Sequence, residues 1–238
     1  MLTREIKELF EKQASLYDFT NTFLSFGIDD IWRKKVAQSL CLPDNARVAD
    51  IATGTAEVAI HIAKQNSTAK IVGLDFSPNM LKRGNKKIHK FHYNNIFLLS
   101  GDATTLPFPK NSFDALTIVF GIRNIINREL ALKEFYSVLK PQGQLIIMEF
   151  GFPETPLFRS LYLFYFNHLL PWIGNLLVSS DHAYTYLRDS VYKFPAPEQF
   201  METLRSVGFK KIQRLSFTGG IVDLFKASKE YPVISLNH

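Results

Sequence analysis

A glycine turn followed by an acidic strand end is the part of the chain whose residue types are suited to binding a ligand. The apolar run 47–51 enters the turn 52–56, and Asp75 closes the next apolar run, 70–75, 21 residues after Gly54. Gly54 has no Cβ, so the backbone can turn sharply there and let a ligand approach. A carboxylate at Asp75 can accept hydrogen bonds from both hydroxyls of a ribose. The spacing therefore predicts half of a nucleotide-binding βαβ unit.

The same turn is poorly suited to a phosphate. A dinucleotide site has the pattern Gly-x-Gly-x-x-Gly, whereas Thr53 and Thr55 flank Gly54, and no Lys-Ser/Thr pair follows as in a P-loop. Further acids at Asp50 and Asp102 favour a nucleoside that carries positive charge. S-adenosyl-L-methionine (SAM) is the common cofactor of that description. Taken alone, the segment leaves open an ordinary β-turn-α connection with a surface aspartate.

Composition indicates a globular protein of a reducing compartment. The 238 residues are 46% hydrophobic, enough to bury a full core in one domain. Cys41 is the only cysteine, which excludes intrachain disulfides and Cys-rich zinc sites. Residues 1–12 alternate charged and apolar residues at helical spacing, which favours an amphipathic helix over a signal peptide and a cytoplasmic location. His89 and His92 have no supporting carboxylate cluster, so no metal is expected.

The chain is basic, with a net charge of +6 and a pI near 9.3. That balance is compatible with an anionic partner such as a membrane surface or a nucleic acid. Ser77 as N-cap with Pro78 at the first helical position predicts a helix start. The most basic run follows it and consists of Lys82, Arg83, Lys86, Lys87 and Lys90. The helix dipole favours cations in the later turns of a helix. The basic run is therefore either an ordinary solvent-exposed helix face or a binding patch.

Apolar runs alternate with helical patterns along most of the chain, which predicts a doubly wound, Rossmann-like α/β sheet. A helix is predicted from Glu129 to Lys140, stopped by Pro141-Gln-Gly143, and another from Pro197 to Val207. The last two strands are close enough to form an antiparallel hairpin appended to a parallel sheet. The seven predicted strands are 47–51, 70–75, 95–99, 113–119, 144–149, 211–217 and 221–227.

An aromatic segment interrupts this alternation after the fifth strand. Seven of the 21 residues 152–172 are aromatic, against 13% of the whole chain, and a second amphipathic helix is predicted over 183–194. Polar residues break the run before it reaches the roughly 20 apolar residues of a membrane span. We expect the aromatic segment to cover the carboxyl edge of the sheet and to contact a hydrophobic acceptor or a bilayer surface. Packing of the rings in a helical subdomain core is the alternative.

Four motifs are distinctive as a set. They are Leu16 to Ile28 with Trp32, the turn Asp50-Ile-Ala-Thr-Gly-Thr55, Ala103 to Pro109 and, most diagnostic, Phe120-Gly-Ile-Arg-Asn124. Together they resemble the ubiquinone/menaquinone biosynthesis C-methyltransferases (UbiE/MenG), and the resemblance runs from about Phe10 to about Phe225.

The resemblance implies a class I SAM-dependent methyltransferase that acts on a ring carbon of a polyprenylated quinol. The acceptor would be demethylmenaquinol, giving menaquinol, and/or 2-polyprenyl-6-methoxy-1,4-benzoquinol of ubiquinone biosynthesis. It implies one domain, with an N-terminal helical lid over residues 1–42 and a substrate-covering helical insertion over 152–194. Tyr17 and Asp18 would belong to that lid, with a plain helix cap as the alternative for Asp18.

By the same resemblance, cofactor contacts fall on Thr55 in the turn, on Asp75 for the ribose, and on Asp102 with Ala103 beside the adenine. They join Asp50 and Gly54 of the turn as the predicted cofactor site.

Two departures from the family pattern bear on that cofactor site. Val119 stands where a serine is common, and Ala56-Glu57 stands where Gly-Asp is typical. Alanine suits position 56 only with a negative φ, so we expect a negative φ there.

Methyl transfer to a quinol carbon requires an ionised or nearly ionised ring hydroxyl beside that carbon. A phenol-like hydroxyl titrates near pKa 10, so the site must favour the anion. We expect Arg123, which is permanently protonated, to stabilise the developing oxyanion, and Asn124 to orient a water or the quinol oxygen. His168 is the candidate proton acceptor, because its unperturbed pKa lies near 6.5. The competing interpretation is that His168 is a core residue whose ring nitrogens are hydrogen-bonded within the protein.

Two rival functions stay open at this point. The basic pI favours an RNA methyltransferase, although Phe120-Gly-Ile-Arg stands where an Asn/Asp-Pro-Pro-aromatic motif would follow the fourth strand. Val119 and Ala56 make a catalytically inactive scaffold conceivable. We expect a polyprenyl quinol partner, peripheral membrane contact and no nucleic acid, with either a homodimer or a quinone-biosynthesis complex left open.

Overall fold

A seven-stranded sheet forms the centre of the protein. The computed structural model describes residues 27–169 and 181–231. The strands are β1 (Arg47–Ile51), β2 (Lys70–Asp75), β3 (Ile96–Ser100), β4 (Phe113–Val119), β5 (Leu139–Phe150), β6 (Lys210–Phe217) and β7 (Val222–Ser228). Their order across the sheet is β3-β2-β1-β4-β5-β7-β6. Strands β1 to β5 pair in parallel, and β7 is antiparallel to both β5 and β6, which confirms the predicted sheet with its appended hairpin.

Helices cover both faces of the sheet. Those described are α1 (Ile28–Gln38), α2 (Glu57–Gln65), α3 (Pro78–Lys90), α4 (Arg128–Val138), α5 (Pro156–Phe164), α6 (Asp181–Tyr192) and α7 (Pro197–Val207). One buried core cluster includes α1 and α2 through Trp32, Val36 and Ile62. The other includes α4 and α7 through Phe135 and Phe200. Two cores on opposite faces make this the doubly wound α/β arrangement that the sequence predicts.

Helix α3 begins as its sequence predicts. The Ser77 side chain accepts a hydrogen bond from the Met80 backbone N–H at 3.3 Å, with Pro78 in the first turn. A serine cap satisfies one of the N–H groups that a helix start leaves unpaired. The cap fixes the start of α3 directly after Asp75 at the end of β2.

The segment Pro141-Gln-Gly143 corrects one prediction. Helix α4 ends at Val138 rather than Lys140, and the three residues lie within β5 instead of preceding it. The Gln142 N–H donates to the Lys229 carbonyl at 2.6 Å, and the Lys229 N–H donates to the Gly143 carbonyl at 3.0 Å. Because these backbone groups find partners beside β7, the segment joins the sheet as an irregular strand start.

The insertion after β5 is helical. Helix α5 continues as a π-helix over Tyr165–Leu169, and α6 packs on it through the buried side chains of Tyr162, Phe166 and Val191. Helix α6 begins two residues before the predicted start at Ala183 and ends two residues before the predicted end at Phe194. None of the helices in the described ranges is long and apolar enough to cross a membrane.

Candidate active site

The turn after β1 is tied to the acidic end of β2. The Gly54 N–H donates to Oδ2 of Asp75 at 2.8 Å, and the Ser77 N–H donates to Oδ1 of the same carboxylate at 2.9 Å. Asp75 is 5% exposed, so these two bonds hold a nearly buried carboxylate in one orientation. The structure thus brings Gly54 and Asp75 together, as their spacing predicts.

Asp50 lies beneath this turn. Its Oδ2 accepts a hydrogen bond from the Thr53 hydroxyl at 2.6 Å, and its Oδ1 accepts one from the Thr117 hydroxyl at 2.7 Å. Burial raises the pKa of Asp50 to about 6 despite these two bonds, and the negative charge of Asp75 raises it further. The described contacts of Asp50 therefore fix the turn to β4, and its predicted contact with the cofactor stays a prediction.

Thr55 and Ala56 complete the turn on its side towards α3. The Thr55 hydroxyl is buried and accepts a hydrogen bond from Nζ of Lys87 at 2.9 Å, and the same ammonium pairs with Glu57. Ala56 has φ +66°, so the expectation of a negative φ is wrong. The chain holds alanine in the left-handed region at the start of α2, where a glycine would carry no strain.

Asp102 and Ala103 follow β3 at the same edge. The Gly101 N–H donates to the Asp75 carbonyl at 3.0 Å, which continues the β2–β3 pairing to the residue before Asp102. The exposed Asp102 folds its carboxylate back on Thr104, whose N–H and hydroxyl both donate to Oδ1, at 2.8 Å and 2.7 Å. This places Asp102 and Ala103 next to the end of β2, and their contacts with the adenine stay a prediction.

The space above Gly54 fits a nucleoside cofactor such as SAM. A Cβ built on Gly54, which has φ +55°, would meet no atom within 4 Å, so the turn faces open space. The acid beside it and the absence of a phosphate-binding glycine pattern match a cationic nucleoside. Val119 at the end of β4 is half-buried and pairs in register with Met148. Its side chain lines this edge of the sheet but cannot form a hydrogen bond.

A buried ion pair stands at the carboxyl ends of β4 and β5. Nη1 of Arg123 donates to Oε1 of Glu149 at 2.6 Å, and the Arg123 N–H donates to Oε2 at 3.2 Å. Nη1 also donates to the Phe120 carbonyl at 2.6 Å. The Glu149 side chain is 1% exposed and the Arg123 side chain 6%. Such a pair has a fixed geometry because both charges lack water as an alternative partner.

Helix α6 closes over this pair. Nε of Arg123 donates to the Ser190 hydroxyl at 3.3 Å, and the Tyr186 hydroxyl donates to Oδ1 of Asn124 at 2.9 Å. Burial raises the pKa of Tyr186, with Arg123 lowering it less, so this phenol stays a protonated donor. The insertion is therefore bonded directly to the two residues of the Phe120-Gly-Ile-Arg-Asn124 motif that the sequence predicts to be catalytic.

Arg128 adds a second guanidinium to the cluster. Its Nη2 donates to the Arg123 carbonyl at 3.3 Å, and its Cζ lies 5.5 Å from the centroid of the Phe194 ring. Its Nε is buried and has no hydrogen-bond partner among the described residues. Burial lowers the pKa of Arg128, and the charge of Glu149 raises it. A guanidinium stays protonated in proteins, so Arg128 adds a second positive charge to the cluster.

Aromatic rings form one wall of the cluster. The Phe120 and Phe150 rings stack at 4.4 Å between centroids, and Trp32 meets both edge-on. Cζ of Arg123 lies 5.3 Å from the Phe150 centroid. The wall excludes water from one side of the guanidinium, which strengthens its electrostatic interactions.

Gly121 allows this loop to approach the cofactor turn. A Cβ on Gly121 would come within 2.6 Å of the Ala52 Cβ. The Ala52 side chain of the glycine turn thus packs directly against the backbone of the arginine loop.

His168 is placed apart from the pair. It is exposed on the π-helix, with its ring centroid 5.3 Å from that of Phe164, and no described contact joins it to Arg123 or Asn124. Its role as proton acceptor stays a prediction. Tyr17 and Asp18 lie outside the described residues. Within the described ranges, no three His, Cys, Asp or Glu side chains group as a metal site would require.

Sequence reasoning missed Glu149, Tyr186, Ser190 and Arg128. Glu149 carried a usable signal, because it is the single acid in the apolar run 145–150 and follows a predicted buried strand. An acid in such a run needs a cationic partner. Tyr186 and Ser190 are separated by one helical turn, which places them on one helix face, but their partners lie more than 60 residues away in sequence.

Solved structures with the same fold include SAM-dependent methyltransferases. One from Thermotoga maritima superposes with a TM-score of 0.66 at 23% identity, covering 94% of this chain and 99% of that chain. One from Aquifex aeolicus superposes with a TM-score of 0.58 at 18% identity, covering 82% and 88%. At these identities the likeness shows the fold alone.

Relatives match over nearly the whole chain. The ubiquinone/menaquinone biosynthesis C-methyltransferase UbiE of Geotalea daltonii is 43% identical over 94% of this chain and 96% of its own length. The demethylmenaquinone methyltransferase of Staphylococcus haemolyticus is 37% identical over 95% and 94%. The ubiE/COQ5 methyltransferase family matches residues 2–229. With the sheet, the glycine turn and the arginine motif all in place, the chain belongs to the ubiE/COQ5 methyltransferase family.

Proposed function

We propose that the protein methylates a ring carbon of a polyprenylated quinol with SAM as the methyl donor. The acceptor is demethylmenaquinol and/or 2-polyprenyl-6-methoxy-1,4-benzoquinol. The observation that carries the proposal is the buried Arg123–Glu149 pair beside the cofactor turn, in the motif that most distinguishes the family. The relatives named UbiE and demethylmenaquinone methyltransferase support the acceptor class.

The cofactor site is assigned to the glycine turn and its neighbours. Asp75 accepts from the ribose hydroxyls, Asp102 and Ala103 border the adenine, and Gly54 with Thr55 leaves room for close approach. Asp50 acts from beneath by holding Thr53 and hence the turn. When bound, SAM supplies a methyl group activated by its sulfonium charge.

The arginine cluster favours an ionised quinol oxygen. Arg123 pairs with Glu149, and the half-buried Arg128 donates to the Arg123 carbonyl, so two positive charges stand beside one carboxylate and the cluster carries a net positive charge. A phenol-like hydroxyl has a pKa near 10, and a desolvated cation beside it lowers that pKa. The described bonds of Arg123 use Nη1 and Nε, which leaves Nη2 to donate to the quinol oxygen.

Asn124 orients the acceptor. Because its Oδ1 accepts from Tyr186, its Nδ2 is directed to donate, and we assign that donor to the quinol oxygen or to a water beside it. The proton of the quinol hydroxyl leaves to this water or to His168, and the same acceptor takes the ring-carbon proton that the incoming methyl group displaces. Preorganised donors of this kind stabilise charge as it develops, without reorganisation during the reaction.

The insertion supplies an apolar approach for the prenyl tail. Helix α5 buries Tyr162 inward, and it exposes Leu157, Leu161 and Phe164, at 86%, 66% and 56%. Exposed apolar side chains at this helical spacing are typical of a helix that lies on a bilayer. We therefore assign to α5 a peripheral membrane contact through which the tail stays in lipid while the ring reaches Arg123.

The test is turnover of both demethylated quinols by the purified protein with SAM, read by product mass. A mass gain of one CH2 unit, from a methyl group that replaces a ring hydrogen and is located by fragmentation, supports the proposal, and the faster acceptor identifies the preferred substrate. Methylation of RNA without methylation of either quinol would contradict it.

A further inference from the structure

The turn assigned to the cofactor is strained at two alanines. Within residues 52–56, Ala52, Gly54 and Ala56 have positive φ angles of +52°, +55° and +66°. Glycine adopts such angles freely. In an alanine the Cβ comes too close to the following carbonyl, at a cost equivalent to roughly 5- to 30-fold in an equilibrium constant. A strained turn of this kind keeps its shape only where its surroundings hold it.

Ala56 joins the turn to helix α2. Its N–H donates to the Thr53 carbonyl at 2.9 Å, and its carbonyl accepts from the Ile60 N–H at 2.9 Å. The residue is fully buried. Both bonds lie within the turn and the first turn of α2, so relaxation of φ at Ala56 would change the direction in which the turn enters the helix. Gly54 and Thr55 would then move as well.

Helix α3 packs against the outer side of Ala56. A Cβ built on Gly84 would lie 3.2 Å from the Ala56 Cβ and 3.3 Å from the backbone carbonyl carbon of Thr55. Gly84 therefore leaves the space that the Ala56 side chain occupies. Lys87 follows Gly84 by three residues in α3, which places the two on one helix face, towards the turn.

Lys87 binds both neighbours of Ala56. Its Nζ donates to the Thr55 hydroxyl at 2.9 Å, and the same ammonium forms an ion pair with Glu57. The side chains of Lys87 and Glu57 are 24% and 31% exposed, so salt and water screen the pair only in part. One side chain of α3 thus holds the turn on each side of its strained residue.

We propose that Lys87 is a positioning residue for the cofactor, because it holds Thr55 and Glu57 and so keeps the strained turn in the shape that binds SAM. It acts through the turn and not on the reacting atoms. The inference rests on the cofactor site of the proposed function and is independent of the acceptor. A site that adopts its binding shape for only a fraction of the time has its affinity reduced by that fraction. Affinity for SAM should therefore depend on Lys87 only while residue 56 is strained.

The experiment is a double-mutant cycle between Lys87→Met and Ala56→Gly in the full chain, with the Kd for SAM measured by calorimetry. Methionine keeps an unbranched side chain and removes the ammonium, and glycine removes the strain. Lys86→Met is the matched control, because it removes an exposed lysine from the neighbouring position of α3. Lys87→Arg tests rescue by another cation. Thermal unfolding without SAM verifies that each variant folds.

Lys87→Met alone should weaken SAM binding roughly 10-fold, which is within the range set by the strain at Ala56. When Ala56→Gly is present in the same chain, Lys87→Met should cost only about twofold. The single variants Lys86→Met and Ala56→Gly should each stay within about twofold of the wild type. Lys87→Arg should recover most of the affinity, because a guanidinium also donates to a hydroxyl and a carboxylate.

An equal loss from Lys87→Met in both backgrounds would overturn the proposal, because Lys87 would then act independently of the strain at Ala56. An unchanged Kd in Lys87→Met would overturn it too. If Lys87→Met does not fold, Glu57→Gln weakens the same ion pair from its other end, and its cost in Kd must likewise shrink when Ala56→Gly is present.

Kinetics separate this proposal from the proposed function. Lys87→Met should raise the KM for SAM by the same factor as the Kd, and it should leave kcat on a demethylated quinol within about twofold, since its described contacts lie at the turn. A fall in kcat at saturating SAM with an unchanged Kd would place Lys87 in the chemical step and contradict a positioning role. Coupling between Lys87 and Ala56 in the Kd, without turnover of any quinol, would refute the function and leave the positioning role standing.

Discussion

Glu149 binds Arg123 twice, through Oε1 to the guanidinium at 2.6 Å and through Oε2 to the backbone N–H at 3.2 Å. One carboxylate therefore sets both the side chain and the backbone of the residue assigned to the oxyanion. The pair also links β5 to the loop after β4, so its geometry depends on the whole sheet.

Glu149→Gln should lower turnover roughly 10- to 100-fold, because it leaves the buried Arg123 charge without its partner. The free energy of unfolding should fall by about 3 kcal/mol for the same reason. Affinity for SAM, measured by calorimetry, should stay within twofold. Glu154→Gln is the control, since that carboxylate pairs with Arg214 but its side chain is 72% exposed. Equal loss of activity in both variants would contradict a specific role for Glu149.

Tyr186→Phe should lower kcat by roughly 5- to 10-fold, the value of one hydrogen bond of about 1 kcal/mol. The change removes the bond that orients the Asn124 amide and leaves the ring in place. Tyr192→Phe is matched to it, because that hydroxyl bonds to Asn167 at 3.2 Å, away from the motif. If kcat is unaffected and only KM rises, Tyr186 serves substrate packing and does not position Asn124.

The fold follows from the sequence more completely than the site does. Strands such as β1 and β2 are short, mostly apolar runs that lead into the Gly54 turn and end at Asp75, respectively, so local pattern decides them. The chemistry around Arg123 depends instead on residues distant in sequence, and a helix pattern at 183–194 does not say which strand end Tyr186 will meet. Asp50 is a second example of a site residue that local pattern does not explain. As an acid in the turn it was predicted to contact a ligand, but in the structure it bonds to Thr53 and to Thr117 of β4, a strand distant in sequence.

Asp75→Asn should weaken SAM binding by about 1–3 kcal/mol, or roughly 5- to 150-fold in Kd, because charge-assisted bonds to the ribose are lost. The amide oxygen can still accept from Gly54 or Ser77, so the fold should survive. Asp44→Asn removes an equal charge from an exposed position before β1 and should leave Kd unchanged. An unaltered Kd in Asp75→Asn would end the ribose assignment.

Asp50 should make stability fall as pH rises. Its pKa of about 6 in the folded state lies above the ordinary aspartate pKa of 3.8, so the folded state holds a proton that the unfolded state loses first. The contribution is fully present below about pH 4 and is lost as pH rises through 6, by up to about 3 kcal/mol. Denaturant unfolding of wild type and Asp50→Asn across pH 4–7.5 measures it. The variant should show the flatter profile, and parallel profiles would show that Asp50 carries no such shift.

The most direct test of the account is Arg123→Ala, measured for SAM affinity and for methyl transfer to a demethylated quinol in the same preparation. The account predicts a Kd for SAM close to that of the wild type and a loss of ring methylation of roughly 100-fold or more. A variant that loses SAM binding yet methylates normally when saturated with SAM would contradict the oxyanion role of Arg123.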